Sequence, residues 1–469
     1  MKPHYDAIIV GGGHNGLTCG AYLSRAGVKV LVVERREVIG GAAVTGEIAP
    51  GYRSSMASYY QGLLQPKVIL DLELQKYGFE VLPAHPTVFA LEGGRTFTMW
   101  DDPEKFAAEI GRLSNSDGQA YARYRAHMQK VAPFMKQLLW EVPVNPGSGR
   151  MRDLKRLAGF VWRFRKIGPQ FFDIYNLLTM SAYDYLSRWF ESEDVKLVLG
   201  FFAGGGGANS SLKTPGSAYM LARGIVRDGS TPAGPAGFMK GGMGAISEAI
   251  RRSGEAHGME VRTGVPVEKI LVENGRAVGV RLEGGEEIRS KIVIANATAR
   301  TIFTRLIDPG LLPEGFNRDI ANIRCESTVF RVNLALKSLP DAPVFAQAAR
   351  QGGVLPQMTI APSVAYMESH LPGRRDGRQA VPDRQGAVDG RSDACASRAP
   401  HHEHLRRACP LHARDGQLGR AARGVVDQCP ESPQDAVPGY RGSYPASAGD
   451  NAAGSGADLR PAERSRASR

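Results

Sequence analysis

Three glycines near the start of the chain have the spacing of a phosphate-binding turn. Gly11, Gly13 and Gly16 form the pattern G-x-G-x-x-G between the apolar run "DAIIV" and a helical pattern. The first glycine permits a tight turn, the second lets a pyrophosphate approach the backbone, and the third lets the helix pack closely on the strand. The helix N-terminus then presents free N–H groups to the phosphates. Glu34 ends the next apolar strand and is placed to accept hydrogen bonds from a ribose. We therefore predict a dinucleotide site.

A second group of residues extends this motif. Arg36, Gly40 and Gly41 complete the pattern E-x-R-x-x-x-G-G after Glu34. This pattern resembles that of the amine oxidase and phytoene desaturase superfamily, in which the arginine and the second glycine turn also face the pyrophosphate of FAD. The resemblance to phytoene desaturase-like FAD-dependent oxidoreductases continues through "GFMKGGMGAISEAI" to about residue 370. It implies that FAD is the cofactor.

The resemblance also assigns residues outside this motif. It implies that Val267 approaches the adenine side of FAD through its backbone, and that Ala295 and Asn296 close over the cofactor at the end of a returning strand. Three glycines before a helix would lie beside the flavin where two domains meet, although an ordinary turn explains them equally well. These are Gly241, Gly242 and Gly244.

Two departures from the family pattern weaken the expected site. Ala42 stands where many superfamily members have an arginine directly after the glycine doublet. One phosphate contact is therefore absent, which leaves the helix dipole and Arg36. Family members also end with a glycine-rich stretch, containing histidine and proline, that completes the flavin site. This chain has no such stretch.

The order of the elements predicts an α/β protein. Buried strands flank the first helix, and residues 265–297 alternate in the manner of a β-meander with glycine turns. We expect a Rossmann-type FAD-binding domain with this meander, formed by residues 1–70 and 235–305, and a mixed α+β substrate domain, formed by 71–234 and 306–373. Residues 102–142 and 151–203 are expected to be mostly helical.

The chain changes character at residue 374. The last 96 residues contain 16 Arg but no Lys, Ile, Phe, Met or Trp, and so few apolar side chains predict a disordered tail. Its Arg, Ala, Gly, Pro, Asp and His are the residues of GC-rich codons. When residues 389–419 and 450–464 are back-translated and shifted by one nucleotide, both can give globular sequence that resembles the family's C-terminal part. We interpret residues 374–469 as translated out of frame.

The tail also contains the most metal-like stretch of the sequence. "RAPHHEHLRRACPLHARDG" has four histidines, a glutamate and a cysteine, and Cys409 and His412 have the spacing of metal ligands. Nothing nearby predicts a scaffold that would hold such ligands in place. We therefore assign no metal.

Charge and cysteine content exclude several classes of protein. The net charge of +12 is dispersed, and no recognition helix, RNP motif or zinc knuckle is present, so we expect no nucleic-acid binding. The five cysteines contain no C-x-x-C pair, which argues against dithiol chemistry. The first strand begins within six residues of Met1 and leaves no room for a signal peptide, so we expect a cytoplasmic protein.

The expected chemistry is flavin-mediated dehydrogenation, desaturation or isomerisation of a hydrophobic, isoprenoid- or carotenoid-like substrate. Residues 202–210 do not complete a second nucleotide motif, because Asn209 stands where its third glycine would be. Oxygen or a quinone is therefore the expected electron acceptor. No residue is identified as a catalytic base, and His85, His127 and His257 are expected on the surface or at helix caps. An amine oxidase-like enzyme and an inactive flavoprotein fragment or interaction protein stay open as alternatives.

Two segments have more than one interpretation. The aromatic residues of 160–203 can line an apolar tunnel or form an ordinary core. Residues 151–166 carry six basic residues and one acid among aromatics. This pattern fits a helix that contacts a membrane surface to collect a lipid-phase substrate. It also fits a solvated basic face, which is the interpretation that the sequence alone favours.

Overall fold

The computed structural model of the chain describes residues 4–83, 86–139, 141–142, 145, 147, 149–165, 167–204, 211–222, 237–323, 325, 331–336 and 357–369. The predicted out-of-frame tail, with its histidine-rich stretch, lies outside the described residues. So do His85 and most of the 202–210 stretch.

The described residues contain thirteen strands and twelve α-helices. The strands are β1 Tyr5–Val10, β2 Val30–Val33, β3 Thr45–Ala49, β4 Tyr52–Ser55, β5 Val81–Pro83, β6 Thr87–Ala90, β7 Thr96–Met99, β8 Gly237–Met239, β9 Glu260–Arg262, β10 Val267–Glu273, β11 Arg276–Leu282, β12 Glu287–Ala295 and β13 Met358–Ile360. The helices are α1 His14–Arg25, α2 Pro66–Asp71, α3 Pro103–Leu113, α4 Asn115–Leu139, α5 Met151–Phe164, α6 Phe171–Thr179, α7 Ala182–Ser187, α8 Glu193–Gly204, α9 Gly244–Glu255, α10 Ala299–Thr301, α11 Glu314–Ala321 and α12 Val364–Ser369. Short 3₁₀ turns and a π turn at Ile302–Leu306 complete the described elements.

A six-stranded sheet carries the glycine motif. Its order is β10-β11-β12-β1-β2-β9, in which β12, β1, β2 and β9 run parallel and β10, β11 and β12 form an antiparallel meander. The meander turns at Asn274 and Gly275, whose φ angles are both positive, as a type I′ turn requires. The Rossmann-type sheet and the meander are confirmed.

Both faces of β1 and β2 are buried, which explains why these strands are almost continuously apolar. On one face Ala7, Ile9 and Val32 pack against α1 and α9. On the other face Ile8 and Leu31 pack against the meander. The carboxyl ends of β1 and β2 therefore reach one edge of a rigid sheet.

A second core forms among the aromatic helices. It joins α3, α4, α6, α7 and α8 to the sheet β13-β6-β7, with Phe89, Phe97 and Leu186 at its centre. The predicted hairpin at residues 87–100 is confirmed as β6 and β7. Much of the 160–203 region thus fills a core, whereas Phe171, Phe172 and Tyr175 stay more than half exposed. The predicted domain boundaries stay a prediction; the core beside α1 reaches Phe79.

Two features are absent from the described residues. No helix there is long and apolar enough to cross a membrane. No group of three or more His, Cys, Asp or Glu side chains is arranged there to hold a metal ion.

Candidate flavin-binding site

The turn at Gly11 is fixed by the two strands beside it. Its φ of +103° is accessible to glycine, and its N–H donates to the carbonyl oxygen of Val33 at 2.8 Å. From the other side, the backbone N–H of Asn296 donates to Val10 at 2.7 Å, and its side-chain Nδ2 donates to the Gly11 carbonyl at 3.3 Å. The turn is therefore held between β2 and the end of β12.

The three motif glycines leave no room for side chains. A Cβ on Gly11 would lie 2.6 Å from the carbonyl oxygen of Asn296, and one on Gly16 would lie 2.4 Å from the carbonyl oxygen of Gly11. A Cβ on Gly13 would lie 3.0 Å from Asn296 Nδ2. The motif thus presents bare backbone to the crevice.

Helix α1 begins in the manner expected of an anion site. Gly13 offers no side-chain cap, and the first turn contains no acidic residue. Its backbone donors and its positive dipole end therefore favour a negatively charged ligand. Next to them, the buried Nδ1 of His14 has no hydrogen-bond partner among the described residues. A buried polar atom without a partner is costly, so a ligand that hydrogen-bonds it would stabilise this turn.

Glu34 lies against the glycine turn with only 8% of its surface exposed. Its Oε2 accepts a hydrogen bond from Gly12 N–H at 2.8 Å, and its Oε1 accepts one from Arg36 N–H at 3.0 Å. Each carboxylate oxygen keeps further lone pairs that can accept from ribose hydroxyls. The Glu34 carbonyl accepts from Val265 N–H at 3.0 Å, two residues before Val267 opens β10.

The glycine doublet packs directly on the motif. The N–H of Gly40 donates to the Gly12 carbonyl at 2.8 Å, and its own carbonyl accepts from His14 N–H at 3.3 Å. A Cβ on Gly41 would lie 3.2 Å from Gly13 Cα. The doublet therefore forms a second wall around the N-terminus of α1.

The structure brings together most of the predicted binding residues. Gly11, Gly13, Gly16, Glu34, Gly40, Gly41 and Asn296 surround one turn, and Ala295 pairs with Val10 beside it. Arg36 joins them through its backbone, since its N–H binds Glu34 and its carbonyl accepts from Gly264 N–H at 2.8 Å. Val267 lies further along the crevice, at the start of β10.

Two polar contacts that the sequence did not reveal hold α9 beside this site. Thr45 Oγ1 accepts from Gly244 N–H at 2.9 Å, and Ser55 Oγ accepts from Met243 N–H at 3.0 Å. A Cβ on Gly242 would lie 2.4 Å from Thr45 Oγ1, so these glycines serve close packing against β3 and β4. The partners are almost 200 residues apart, and one sequence alone carries no signal that pairs them.

The described histidines lie away from the glycine turn, apart from His14. His257 Nδ1 contacts the Ser253 carbonyl at 2.9 Å at the end of α9, in the manner of a cap. His127 is not on the surface, because its Nε2 lies 3.0 Å from the buried Tyr185 hydroxyl, and burial lowers the pKa of His127. Burial also raises the pKa of the Tyr185 hydroxyl to about 12. Both groups are therefore neutral at pH 7.

The residues present fit the diphosphate of FAD. The bare glycine turn, the uncapped helix and the buried Glu34 supply the three contacts that a dinucleotide needs. Ala42, which replaces a family arginine, is exposed beside the doublet, and its carbonyl accepts from Ser58 N–H at 3.0 Å. The site therefore lacks a cationic side chain at this position without being closed by it.

Comparison with known proteins agrees with this geometry. Residues 16–340 match the family described as flavin containing amine oxidoreductase. The chain is 38% identical over 373 residues to pyridine nucleotide-disulfide oxidoreductase domain-containing protein 2 of Rattus norvegicus, covering 76% of this chain and 64% of that protein. This chain thus spans slightly less than two thirds of that relative.

More distant relatives include two enzymes named for terpenoid substrates. The chain is 29% identical to a limonene dehydrogenase polypeptide of Castellaniella defragrans, over 59% of this chain and 48% of that protein. It is 27% identical to the neurosporene-forming phytoene desaturase of Cereibacter sphaeroides, over 64% of this chain and 54% of that one. Since the family match covers more than half of the chain, this protein belongs to the flavin-containing amine oxidoreductase family, and its cofactor is FAD.

Proposed function

We propose that this protein is an FAD-dependent oxidoreductase that dehydrogenates, desaturates or isomerises an apolar, isoprenoid-like substrate. The observation that carries the proposal is an exposed apolar surface directly beside the glycine doublet. We call this surface the apolar platform. It consists of Tyr59, Val332, Leu334 and Leu336, which are 43 to 52% exposed.

Hydrogen bonds connect the apolar platform to the flavin site. The bond from Ser58 N–H to the Ala42 carbonyl places Tyr59 one residue from the segment that follows the doublet. The guanidinium of Arg331 lies 4.7 Å from the centre of the Tyr59 ring. It also donates to the carbonyls of Ser55 and Ala57, both at 2.8 Å. Residues 331–336 are therefore held beside the hairpin β3–β4.

An exposed cluster of large apolar side chains next to a cofactor crevice is typical of a site for an apolar ligand. Limonene and phytoene, after which two of the relatives are named, are hydrocarbons. A hydrocarbon offers no charge to recognise, so its binding depends on the burial of apolar area, at about 25 cal/mol per Å². The apolar platform supplies such area within reach of the flavin crevice.

The residues of the chain have separate tasks in this proposal. Bound FAD supplies the acceptor for a hydride, while the protein supplies orientation and exclusion of water. The backbone of the glycine motif binds the diphosphate, Glu34 orients the ribose, and the apolar platform holds the substrate. Reduced cofactor would be reoxidised by oxygen or a quinone, because residues 202–210 do not complete a second nucleotide motif.

Oxidation of an amine is the second candidate, and the family match favours it. The charge at the apolar platform opposes it. Recognition of an ammonium group needs a carboxylate or the open face of an aromatic ring. The guanidinium of Arg331 lies over the Tyr59 ring, so it would repel a cationic substrate there.

Two measurements test the proposal in sequence. The first is the absorption spectrum of the purified protein, in which a flavin band that dithionite bleaches shows bound FAD. The second is oxygen or quinone consumption with terpenes and polyenes, compared with mono- and polyamines. Turnover of amines alone would replace the proposal by the second candidate. A colourless protein that does not take up added FAD would identify an inactive fragment.

A further inference from the structure

Helix α5 turns a continuous apolar strip toward solvent. None of its side chains is buried, and Leu157, Phe160 and Phe164 are half-buried on the side that faces the protein. Met151, Leu154, Val161 and Trp162 lie on another side and are 44 to 67% exposed. Their spacing of three and four residues places them along one stripe of the helix. We call these four residues the outer strip.

The outer strip lines an open groove of about 440 Å³. Its walls are Leu154, Leu157, Ala158, Val161 and Trp162, and Arg165 closes one end. The guanidinium of Arg165 lies 3.8 Å from the centre of the Trp162 ring. An aromatic ring covered by a cation at the end of an apolar stripe suits the boundary between hydrocarbon and lipid headgroups.

Basic side chains flank the outer strip on the exposed surface. They are Arg152, Lys155, Arg156 and Arg163, and Asp153 is the one acidic residue of α5. A helix with Lys and Arg on its polar face and Trp and Leu on its apolar face binds the interface of a bilayer with anionic lipids. The charge is therefore complementary to such a surface.

The protein holds this helix in a fixed orientation. Arg163 makes a two-pronged ion pair with Glu141, from Nε to Oε1 at 2.8 Å and from NH2 to Oε2 at 2.6 Å. This pair joins α5 to the chain just beyond α4. Further along, α6 exposes Phe171, Phe172 and Tyr175, which adds aromatic surface close to α5 in the chain.

We infer that α5 is a membrane-surface helix that docks the protein onto a bilayer containing anionic lipids, with the outer strip inserted among the headgroups. The inference deepens the proposed function and rests on it in one respect, because an apolar substrate is dissolved in the bilayer from which it would be collected. Docking itself requires neither FAD nor turnover.

Cosedimentation of the purified full chain with vesicles tests docking directly. The probes are vesicles of phosphatidylcholine alone and of phosphatidylcholine mixed with phosphatidylglycerol. Binding should be stronger to the mixed vesicles and should weaken with salt. Arg156→Gln should weaken it about fivefold, as expected for one cation near an anionic surface. Val161→Asp should weaken it by roughly tenfold or more, because it places a carboxylate in the apolar strip.

Two matched variants serve as controls. Leu311→Asp makes the same kind of change at a side chain that is 58% exposed outside α5, and Lys269→Gln removes an exposed positive charge from β10. Both should bind vesicles as the wild type does. Circular dichroism and flavin content check that each variant is folded.

Three results would overturn the inference. One is a wild-type protein that sediments with neither vesicle type. Another is a set of α5 variants that bind as tightly as the two controls. The third is a dimer, seen by light scattering, that Val161→Asp dissociates, since the outer strip would then bind a second copy of the chain. Vesicle binding without any oxidation activity would instead refute the proposed function alone.

Discussion

Asn296 closes the turn at Gly11 through a bond from its side chain and through steric contact with its backbone. Its Nδ2 donates to the Gly11 carbonyl at 3.3 Å, while its own carbonyl oxygen would lie 2.6 Å from any Cβ on Gly11. The end of β12 thus fixes the shape of the loop that would bind the FAD diphosphate. A residue almost 300 positions away in sequence decides which residue type the turn can accept.

Gly11→Ala should therefore abolish tight FAD binding. The substitution adds backbone strain at φ +103° and forces Asn296 away from the turn. We expect FAD affinity to fall on the order of tenfold or more, as for the loss of a charge-assisted hydrogen bond. Isothermal titration of the deflavinated protein with FAD measures this.

Gly27→Ala is the matched control for that change. Gly27 also has a positive φ, +82°, but a Cβ there would meet nothing within 4 Å. It should cost about 1 kcal/mol of folding free energy from strain and leave FAD affinity unchanged. Equal loss of FAD affinity in both variants would show that general destabilisation, rather than the contact with Asn296, is responsible.

Ala42→Arg should strengthen FAD binding. Ala42 is exposed beside the doublet, so a long side chain can extend there without disturbing the core. A guanidinium near the diphosphate should add a charge-assisted contact and raise affinity about tenfold at low salt. The same titration tests this, and Ala42→Gln serves as a neutral control of similar length. An increase that persists in high salt would contradict the electrostatic explanation.

The local part of the site could be predicted from the sequence, because it depends on neighbouring residues. The glycine spacing, the buried strands around it and the acid at the end of β2 are all determined within about 30 residues, as the βαβ unit requires. The Asn274-Gly275 turn was predictable for the same reason, since positive φ at both positions needs these residue types.

Long-range packing could not be predicted in this way. The caps of α9 by Thr45 and Ser55 join segments almost 200 residues apart, and nothing in either segment specifies the other. An isolated histidine has no context in sequence, which is why the surface is the expected place for His127. The fold places it between α4 and α7, where Tyr185 becomes its partner. For α5, periodicity and charge indicate an amphipathic helix, but only the structure shows which apolar side faces solvent.

Tyr22→Phe should change the stability of the α1 region at high pH. The Tyr22 hydroxyl donates to Asp71 Oδ2 at 2.8 Å, and burial together with this bond raises the pKa of Tyr22 to about 12. A raised pKa in the folded state means that the stabilisation is complete below the ordinary value of 10.0 and is lost as the pH rises through 12.

The variant should lose about 1 kcal/mol at neutral pH, the usual value of one hydrogen bond, and show a smaller decline than the wild type between pH 10 and 12. Urea unfolding across this pH range provides the measurement. An identical alkaline decline in the wild type and the variant would assign that decline to other tyrosines.

Leu334→Ser tests the apolar platform as the substrate site. Leu334 is 52% exposed, so the folded protein should tolerate a polar side chain and retain its flavin content. If a hydrocarbon substrate packs on Leu334, the loss of its apolar area should raise KM about tenfold, consistent with roughly 1.5 kcal/mol of buried side chain. Leu311→Ser, at a similarly exposed leucine away from the platform, should leave KM unchanged. Steady-state kinetics with a soluble terpene distinguishes the two, and a KM that rises equally in both variants would remove the platform from the substrate path.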